Sequence, residues 1–372
     1  MLSSLLRIAA LIRKELLAIL KDARTRNMLL IQPVIQLLIF GYAATLDLSN
    51  IPYAAFDRDR SAASSALLAK LDGSSAFQRI ANITDPDEMR RLIDSRRVVL
   101  VVQIAPDFQR RLSAGQNAAV QVVADGRNST TAGAALGSVN AAVESFNVDW
   151  RRDHGLAPPP VRLSPRAWYN PNLETRWNLV PALVGTITMM STLMLAALSV
   201  AREREEGTFD QLLVAPFNPA EIMVGKAIPA MMIGLTQSTT ALLVAQLWFR
   251  IPFAGSYLTL YAGLVLFLLA AVGIGLFVSS ISATMQQGML YAFVTIMPFA
   301  LLSGLTTPIS SMPRVIQAFT LINPLRYAID LVHRVYLEGL GLDRLWPDLW
   351  PMAIIATVTL TAAAWMFRNR IE

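Results

Sequence analysis

The chain has 372 residues and a formal net charge of +6; 54% of its residues are hydrophobic and 16% are charged. Soluble proteins carry about 25% charged residues, so this composition excludes an ordinary soluble protein and favours a membrane protein. The chain has no cysteine, which excludes disulfides and thiolate metal sites. Both ends of the chain are basic, as in membrane proteins whose termini lie in the cytoplasm, and we therefore expect no nucleic-acid partner.

The first 22 residues predict an amphipathic helix in the membrane interface, within a cytoplasmic segment that covers residues 1–26. Six apolar side chains fall within about a third of a helical wheel. They are Leu2, Leu5, Ala9, Ile12, Leu16 and Ile19. Arg7, Lys14 and Lys21 lie on the opposite side and would face anionic lipid or a partner. The alternative is a plain basic segment before the first span, which the regular stripe disfavours.

Long runs without Asp, Glu, Lys or Arg predict six membrane spans, because a spanning helix takes about 20 apolar residues. The predicted spans are residues 27–46, 178–200, 223–248, 257–280, 288–307 and 349–367. Lys and Arg are more frequent in the short segments on the side of the two termini than in those on the other side. The positive-inside rule therefore places both termini in the cytoplasm. The expected fold is a mainly α membrane protein with an inserted extracytoplasmic domain.

The inserted domain is predicted at residues 47–176, between the first and second spans. Short apolar runs alternate with helical patterns, which indicates a small α/β domain with a largely parallel or mixed sheet. Asp85, Pro86 and Glu88 start one of its helices with a cap, a first-position proline and a third-position glutamate. A long helix is expected from about Thr130 to Asp153.

The segment between spans two and three predicts a two-turn helix at residues 207–216. Gly207 ends the preceding helix, Thr208 caps the new one and Pro216 stops it. The apolar face of the short helix consists of Phe209, Leu212 and Leu213. Such a helix is marginal in water and needs a partner, which could be lipid, the N-terminal helix or a groove on another protein.

Three carboxylates precede this short helix, and a second helix start follows it. Glu203, Glu205 and Glu206 are expected to form salt bridges or a docking surface rather than to act in acid–base catalysis. Asn218, Pro219 and Glu221 repeat the start signal of a capped helix.

Residues 309–338 predict helices at the outer interface, or dipping partly into the membrane. Asn323 and Pro324 form a cap and first-position pair. Apolar side chains share one face of the following helix, and Arg326, Asp330, Arg334 and Glu338 alternate in charge on the other face. At about 14 residues this helix is too short to span.

Nothing in the sequence predicts catalysis or a cofactor on this chain. The Gly225-Lys226 pair lacks the other residues of a phosphate-binding loop, since Ala220 and Ala227 stand where that loop needs Gly and Ser or Thr. Two histidines are too few for a histidine metal site, and no ionisable residue falls inside the charge-free runs on which the spans are based, which disfavours a proton relay. Any energy must come from another chain or from an ion gradient.

Several long motifs resemble type-2 permeases of ATP-binding-cassette exporters. The stretch REREEGTFDQLLVAPFNPAEIMVGKAIPA resembles their segment between spans two and three. The stretch LLSGLTTPISSMPRVIQAFTLINPLRYAIDLVHRVYLEGLGLDRLWPDL is similar to their segment between spans five and six. DRDRSAASSALLAKL and IAPDFQRRLSAGQNAAVQVVADGRNSTTA resemble the extracytoplasmic insert of the multidrug-exporter branch. The likeness covers nearly the whole chain.

The resemblance implies an inner-membrane, multi-pass permease of bacteria. Residues 207–216 would be the coupling helix that docks on a separate ATPase subunit, which would carry ATP and magnesium. Residues 1–22 would be the connecting helix beside it. The outer helices would border the pathway, with Asn323, Pro324, Arg326, Tyr327 and Asp330 as gate residues. A second permease copy or homologue and a periplasmic membrane fusion protein are the further expected partners.

The expected function is ATP-driven export of a hydrophobic or amphipathic, drug-like molecule. One alternative is export of a lipid or a lipid-linked glycan. Another is a membrane protein that transmits a signal or a mechanical change without any flux, although the charge-free run of residues 251–313 fits a pathway better.

Overall fold

The computed structural model describes residues 2–43, 50–127, 129–157, 168–171, 174–208 and 218–369. The chain divides into two compact units. One consists of Met1–Ala44 and Ala167–Glu372, and the other, Thr45–Arg166, is inserted into it. The described residues are mainly helical, as the sequence predicts, with one small sheet.

The first unit begins with two helices, α1 (Leu2–Lys21) and α2 (Ala23–Ala43). Only Asp22 separates the two helices. Helical hydrogen bonding resumes directly at this residue, since the Arg26 amide donates to the Asp22 carbonyl at 2.9 Å. The break therefore falls at the end of the 22-residue helix that the sequence predicts. Among the residues whose side chains the structure describes, Ile31–Tyr42 is an apolar stretch of α2.

The inserted unit holds a four-stranded mixed sheet. Its strands and helices alternate as β1 (Ile51–Asp57), α3 (Ala62–Asp72), β2 (Phe77–Asn82), α4 (Pro86–Asp94), β3 (Leu100–Ile104), α5 (Phe108–Ser113), β4 (Val120–Ala124) and α6 (Ser129–Asp153). The strand order is β2-β1-β3-β4, with β1 parallel to β2 and β3, and β4 antiparallel to β3. The predicted cap of α4 is present, since Asp85 Oδ1 accepts from the Asp87 amide at 3.0 Å.

Helices cover both faces of this sheet, which explains the nearly continuous apolar sequence of β1 and β3. Tyr53 and Leu100 pack with Leu67 of α3 and Phe146 of α6 on one face. Phe56 and Val101 pack with Leu92 of α4 on the other face. Burial of each large side chain contributes about 1.5–3 kcal/mol, so two layers of this size can hold the unit together.

The rest of the first unit is a helical bundle. It contains α7 (Thr175–Glu205), α8 (Pro219–Leu243), α9 (Tyr257–Ile281), α10 (Met285–Leu301), α11 (Arg314–Phe319), α12 (Pro324–Tyr336) and α13 (Trp346–Asn369). A π-helical turn, Val244–Trp248, extends α8. Within the described residues four helices are long and apolar enough to cross a membrane: Thr175–Glu205, Ala220–Trp248, Tyr257–Ile281 and Trp346–Arg368.

The two other predicted spans correspond to α2 and α10, and α10 is shorter than those four helices. The 17 residues of α10 would measure about 26 Å as a helix, slightly less than the hydrocarbon core. The helix starts at a Thr284 cap and ends at Leu301, six residues before the predicted end of span five. The count of six spans therefore stays a prediction.

The short helix α12 packs inside the bundle, against α7, α9 and α13. The apolar side chains that the sequence places on one face, among them Leu325, Ile329 and Val332, are all buried. Leu331 and Val335, which lie beside that face, are buried as well. The helix is therefore enclosed on more sides than an interfacial helix would be.

Candidate functional site

The last turn of α7 leads directly into the predicted coupling helix. The Thr208 amide donates to the Glu203 carbonyl at 3.0 Å and the Gly207 amide to the Arg204 carbonyl at 3.2 Å, which is the Schellman arrangement. Gly207 adopts φ +69°, a left-handed backbone that favours glycine. The helix thus stops where the sequence predicts. The remaining residues of the predicted coupling helix lie outside the described residues: Phe209, Leu212, Leu213 and Pro216.

A buried lysine lies where the end of α7 meets the start of α8. The Lys226 side chain is 3% exposed, and its Nζ atom lies 2.7 Å from Glu203 Oε2 and 3.1 Å from Glu15 Oε1. The same Nζ atom donates hydrogen bonds to Glu15 Oε1 and to the Ser199 carbonyl at 3.0 Å, whereas the Glu203 contact is an ion pair. The other carboxylate oxygen of Glu203 accepts from Lys14 Nζ at 2.8 Å. We call Lys14, Glu15, Glu203 and Lys226 the four-charge cluster.

The four-charge cluster contains two cations and two anions in alternation, so its formal charge is zero. Burying an unpaired charge costs several kcal/mol, and pairing offsets that cost only where the geometry is good. Burial by itself lowers the pKa of Lys14, but the hydrogen bond and the charge of Glu203 outweigh it and raise that pKa above its ordinary value. Each cation of the cluster lies within 3.1 Å of a carboxylate oxygen, and the cluster joins α1, α7 and α8.

A second polar contact joins α1 to the start of α8. The Ser4 hydroxyl donates to Glu221 Oε1, and Arg7 NH1 lies 3.9 Å from Glu221 Oε2. The same carboxylate accepts from the Asn218 amide at 3.1 Å, which completes the predicted helix start. Between the two polar contacts, Leu11 is buried against Gly225.

The N-terminal helix therefore faces the bundle with its charged side. Arg7 and Lys14 lie near carboxylates of the same chain, whereas Lys21 is exposed. The predicted apolar stripe points mostly outward, with Leu5 61% exposed. Among the stripe residues whose side chains the structure describes, Ile19, at the edge, is the buried one. The outward apolar side is the surface that a membrane would cover.

The three glutamates of the α7 end have different environments. Glu203 belongs to the four-charge cluster, and Glu205 accepts from the Met285 amide at 2.6 Å, at the first turn of α10. Glu206 is exposed. Arg204, which lies between Glu203 and Glu205 in the sequence, donates to the carbonyls of Ser280 and Ser282 at 3.1 and 3.0 Å, at the end of α9. The last turn of α7 is thus bonded to α1, α8, α9 and α10.

Sequence reasoning missed Glu15, Lys226 and the Arg204 contacts. The position of Lys226 beside an apolar run could have indicated the cluster, since a buried lysine there needs a carboxylate partner. The contribution of α1 could not be read from its own pattern, because the partners lie almost 190 residues or more away along the chain.

At the opposite end of the bundle, the predicted gate residues hold α12 in place. Asn323 Oδ1 accepts from the Leu325 amide at 3.0 Å, and its Nδ2 donates to the Phe299 carbonyl of α10 at 2.8 Å. Pro324, at the first helical position, is buried. The Arg326 guanidinium donates to the Thr320 hydroxyl at 2.6 Å. These contacts fix the start of α12.

Other polar side chains of α12 also contact neighbouring segments of the chain. The Tyr327 hydroxyl donates to the Leu321 carbonyl at 3.1 Å. Asp330 is partly buried, and burial raises its pKa above the ordinary value. His333 Nε2 lies 2.7 Å from the Asn178 carbonyl of α7, and burial lowers the pKa of the ring, so the neutral imidazole donates. Arg334 NH1 pairs with the buried Asp348 of α13 at 3.0 Å, a contact that the sequence did not predict.

Comparison with known proteins places these features in a family context. The family model described as ABC-2 family transporter protein matches residues 24–365. The chain is 38% identical over 365 residues to the probable multidrug ABC transporter permease YbhR of Escherichia coli (strain K12), covering 98% of this chain and 99% of that protein. It is 31% identical over 321 residues to the inner membrane transport permease YhhJ of the same strain, covering 82% and 85%. It is 29% identical over 365 residues to the probable multidrug ABC transporter permease YbhS, covering 97% and 94%.

Proposed function

Since the chain belongs to the ABC-2 family of transporter permeases, we propose that it is the membrane subunit of an exporter that is driven by ATP hydrolysis on a separate chain. It is a multi-pass protein of the inner membrane, as its apolar helices and the inner-membrane permease related to it indicate. Two relatives that align along almost the whole chain are named probable multidrug permeases, which supports a hydrophobic or amphipathic, drug-like substrate.

The observation that carries the proposal is the bonding of the α7 end. Residues 207–216 follow Glu203, Arg204 and Glu205 without a break in the sequence, and these three side chains bond to α1, α8, α9 and α10. A movement of the coupling helix would therefore be transmitted to these helices together. Packed helices move as rigid bodies between discrete arrangements rather than deforming continuously, which suits alternate opening of a pathway.

The proposed assembly contains two ATPase subunits and a second permease, either a copy of this chain or a homologue. The inserted unit would lie outside the cytoplasm, where a membrane fusion protein would meet it. The outer helix α12, fixed by Asn323, His333 and Arg334, would border the pathway at the outer side. ATP and magnesium would bind the ATPase subunits.

The test combines reconstituted export with ATPase binding. Replacement of Phe209 by Asp should abolish ATPase binding and dye export from vesicles, because a charge on the apolar face of the coupling helix opposes docking in an apolar groove. The matched control is Phe209→Leu, which keeps an apolar side chain and should retain both activities. Normal binding and export by the Asp variant would refute the proposal. Flux of a lipid, or no flux at all, would instead favour one of the two alternative functions.

A further inference from the structure

The inserted unit contains a cavity of about 320 Å³ at the carboxyl ends of the parallel strands β1 and β2. Ligands of open α/β sheets bind outside the carboxyl ends of the strands. Small-molecule sites begin at about 300 Å³, so the cavity is large enough for one. Its apolar wall includes Leu68 and Ala69 of α3 and Ile83 after β2. Its polar side includes Arg60 and Arg79.

A β-bulge in β2 brings two polar side chains to this cavity. Tyr53 of β1 pairs with Arg79, but the next residue of β1 pairs with Ala81, so Ile80 is an extra residue. Asn82 then pairs with the residue two positions after Tyr53. Arg79 and Asn82 consequently share the face of Tyr53, although residues three apart on a regular strand point to opposite faces. Bulges re-aim side chains in this way next to functional sites.

The loop after β1 holds Arg60 in an uncommon conformation. Its φ is +50°, in the left-handed region that non-glycine residues seldom adopt. Asp57 fixes this conformation: its Oδ1 accepts from the amides of Asp59 and Arg60 at 3.0 and 2.9 Å, and its Oδ2 accepts from the Ser64 hydroxyl at 2.7 Å. Backbone strain of this kind persists only where the surrounding structure imposes it, and it is common at ligand sites.

The charged side chains that line the cavity are Asp57, Arg60 and Arg79, and they differ in their partners. Arg79 is paired with Asp72 and also donates to Asn82 Oδ1 at 3.3 Å. The oxygens of Asp57 are engaged by the loop itself. Among the residues that the structure describes, the Arg60 guanidinium has no ion-pair or hydrogen-bond partner, although it lines the cavity. The Arg60 side chain is exposed, so an anion in the cavity could reach its guanidinium without displacing another partner.

We propose that this cavity binds a small aromatic carboxylate. The carboxylate pairs with the Arg60 guanidinium, whose planar fork matches two carboxylate oxygens, and accepts from the Asn82 amide nitrogen. The aromatic body lies against Leu68, Ala69 and Ile83. A cavity of about 150 Å³ is large enough for benzene, so 320 Å³ fits a body of about two rings. This site belongs to the inserted unit and is separate from the coupling region at the α7 end.

The test measures binding of a fluorinated naphthoate to the full chain in lipid nanodiscs by fluorine NMR line broadening, with empty nanodiscs as the reference. The key variant is Arg60→Asn, because asparagine tolerates the left-handed backbone. The charge-matched control is Arg58→Asn: Arg58 lies over the Phe56 ring and does not line the cavity. A second variant, Asn82→Asp, places a like charge beside the ligand carboxylate at almost no change in volume. Thermal unfolding of each variant checks that it folds.

We expect saturable binding to the wild type, about tenfold weaker binding or worse for Arg60→Asn and Asn82→Asp, and unchanged binding for Arg58→Asn. The neutral fluorinated naphthylmethanol should bind the wild type more weakly than naphthoate does. No saturable broadening above that of empty nanodiscs would overturn the proposal. So would equal losses in Arg60→Asn and Arg58→Asn, or equal binding of the acid and the alcohol.

Discussion

Lys226 Nζ lies 2.7 Å from Glu203 Oε2, and both side chains are almost completely buried. The two residues belong to helices that the predicted coupling segment connects, and Lys14 and Glu15 complete the group from α1. Because its four members come from three helices, the four-charge cluster fixes the relative positions of those helices next to the site that would receive the ATPase.

The stability of the bundle should depend strongly on Lys226. Replacement of Lys226 by Met leaves Glu203 and Glu15 without a buried cation, and breaking a buried pair in this way costs about 3–5 kcal/mol. The double variant Glu203→Gln/Lys226→Met should lose less, since Lys14 and Glu15 then balance each other in charge. Thermal unfolding of the purified chain in detergent measures both. A single variant as stable as the wild type, or a double variant less stable than the single, would contradict the assigned pairing.

Gly225 should resist substitution because α1 approaches α8 there. A Cβ atom at Gly225 would lie 2.8 Å from Leu11 Cβ and 3.1 Å from Leu11 Cδ1, so Gly225→Ala should push α1 away. The expected cost of overpacking is about 1–3 kcal/mol, more than the gain of about 1 kcal/mol in helix propensity.

Two controls accompany the Gly225 variant. Gly133→Ala in α6 meets nothing within 4 Å and should stabilise the chain slightly or leave it unchanged. Adding Leu11→Ala to Gly225→Ala should restore the approach of α1, as measured by hydrogen exchange of its amides. Failure of the second substitution to restore protection would mean that α1 is not held at this contact.

Arg334 should be needed to keep α12 against α13. Replacement of Arg334 by Gln leaves the Asp348 carboxylate, whose side chain is 5% exposed, without its cation. We expect a loss of stability of about 1–3 kcal/mol, because the Arg334 side chain is partly exposed, and a faster exchange of α12 amides. The control is Arg344→Gln, because Arg344 is exposed and only 3.9 Å from the equally exposed Asp343. Equal effects of the two substitutions would contradict the conclusion that Arg334 holds α12 against α13.

His333 should make the outer end of the bundle sensitive to acid. Burial is the main cause of its lowered pKa, while the Asn178 carbonyl, Asp330 and Glu338 act in the opposite direction. The folded chain thus favours the neutral ring, so this contribution is present above the ordinary pKa of about 6.5 and is lost as pH falls below it.

The pH dependence of stability checks this assignment. When the pH is lowered from about 8 to about 5, the free energy of unfolding should fall more for the wild type than for His333→Gln. Glutamine keeps a donor for the Asn178 carbonyl but does not titrate. The comparison separates His333 from Asp330, whose pKa is shifted upward and whose contribution has the opposite sign. Equal pH profiles for wild type and variant would contradict the neutral buried ring.

Local signals in the sequence predicted the elements well. Asp85 and Asn323 cap helices where expected, because a side-chain acceptor followed by proline satisfies the free amides of a first turn by itself. Gly207 ends α7 for an equally local reason. The mixed sheet followed from the alternation of apolar strands and helices.

The contacts between distant segments could not be predicted in this way. A helical wheel shows that Arg7 and Lys14 share a side of α1, but it does not show that Glu221 and Glu203 face that side. The enclosure of α12 was also missed, because its alternating charges are typical of a surface helix, whereas Arg334 has a buried partner fourteen residues later.

The central claim is that residues 207–216 dock on an ATPase subunit. The chain has no cysteine, so Leu212→Cys provides a unique attachment point for a benzophenone photo-crosslinker. The matched control is Tyr42→Cys, at the exposed end of α2. In membranes that contain the chain and its ATPase, illumination should link the ATPase subunit to position 212 and not to position 42. No ATPase adduct at position 212, or equal adducts at both positions, would contradict docking of residues 207–216 on the ATPase subunit.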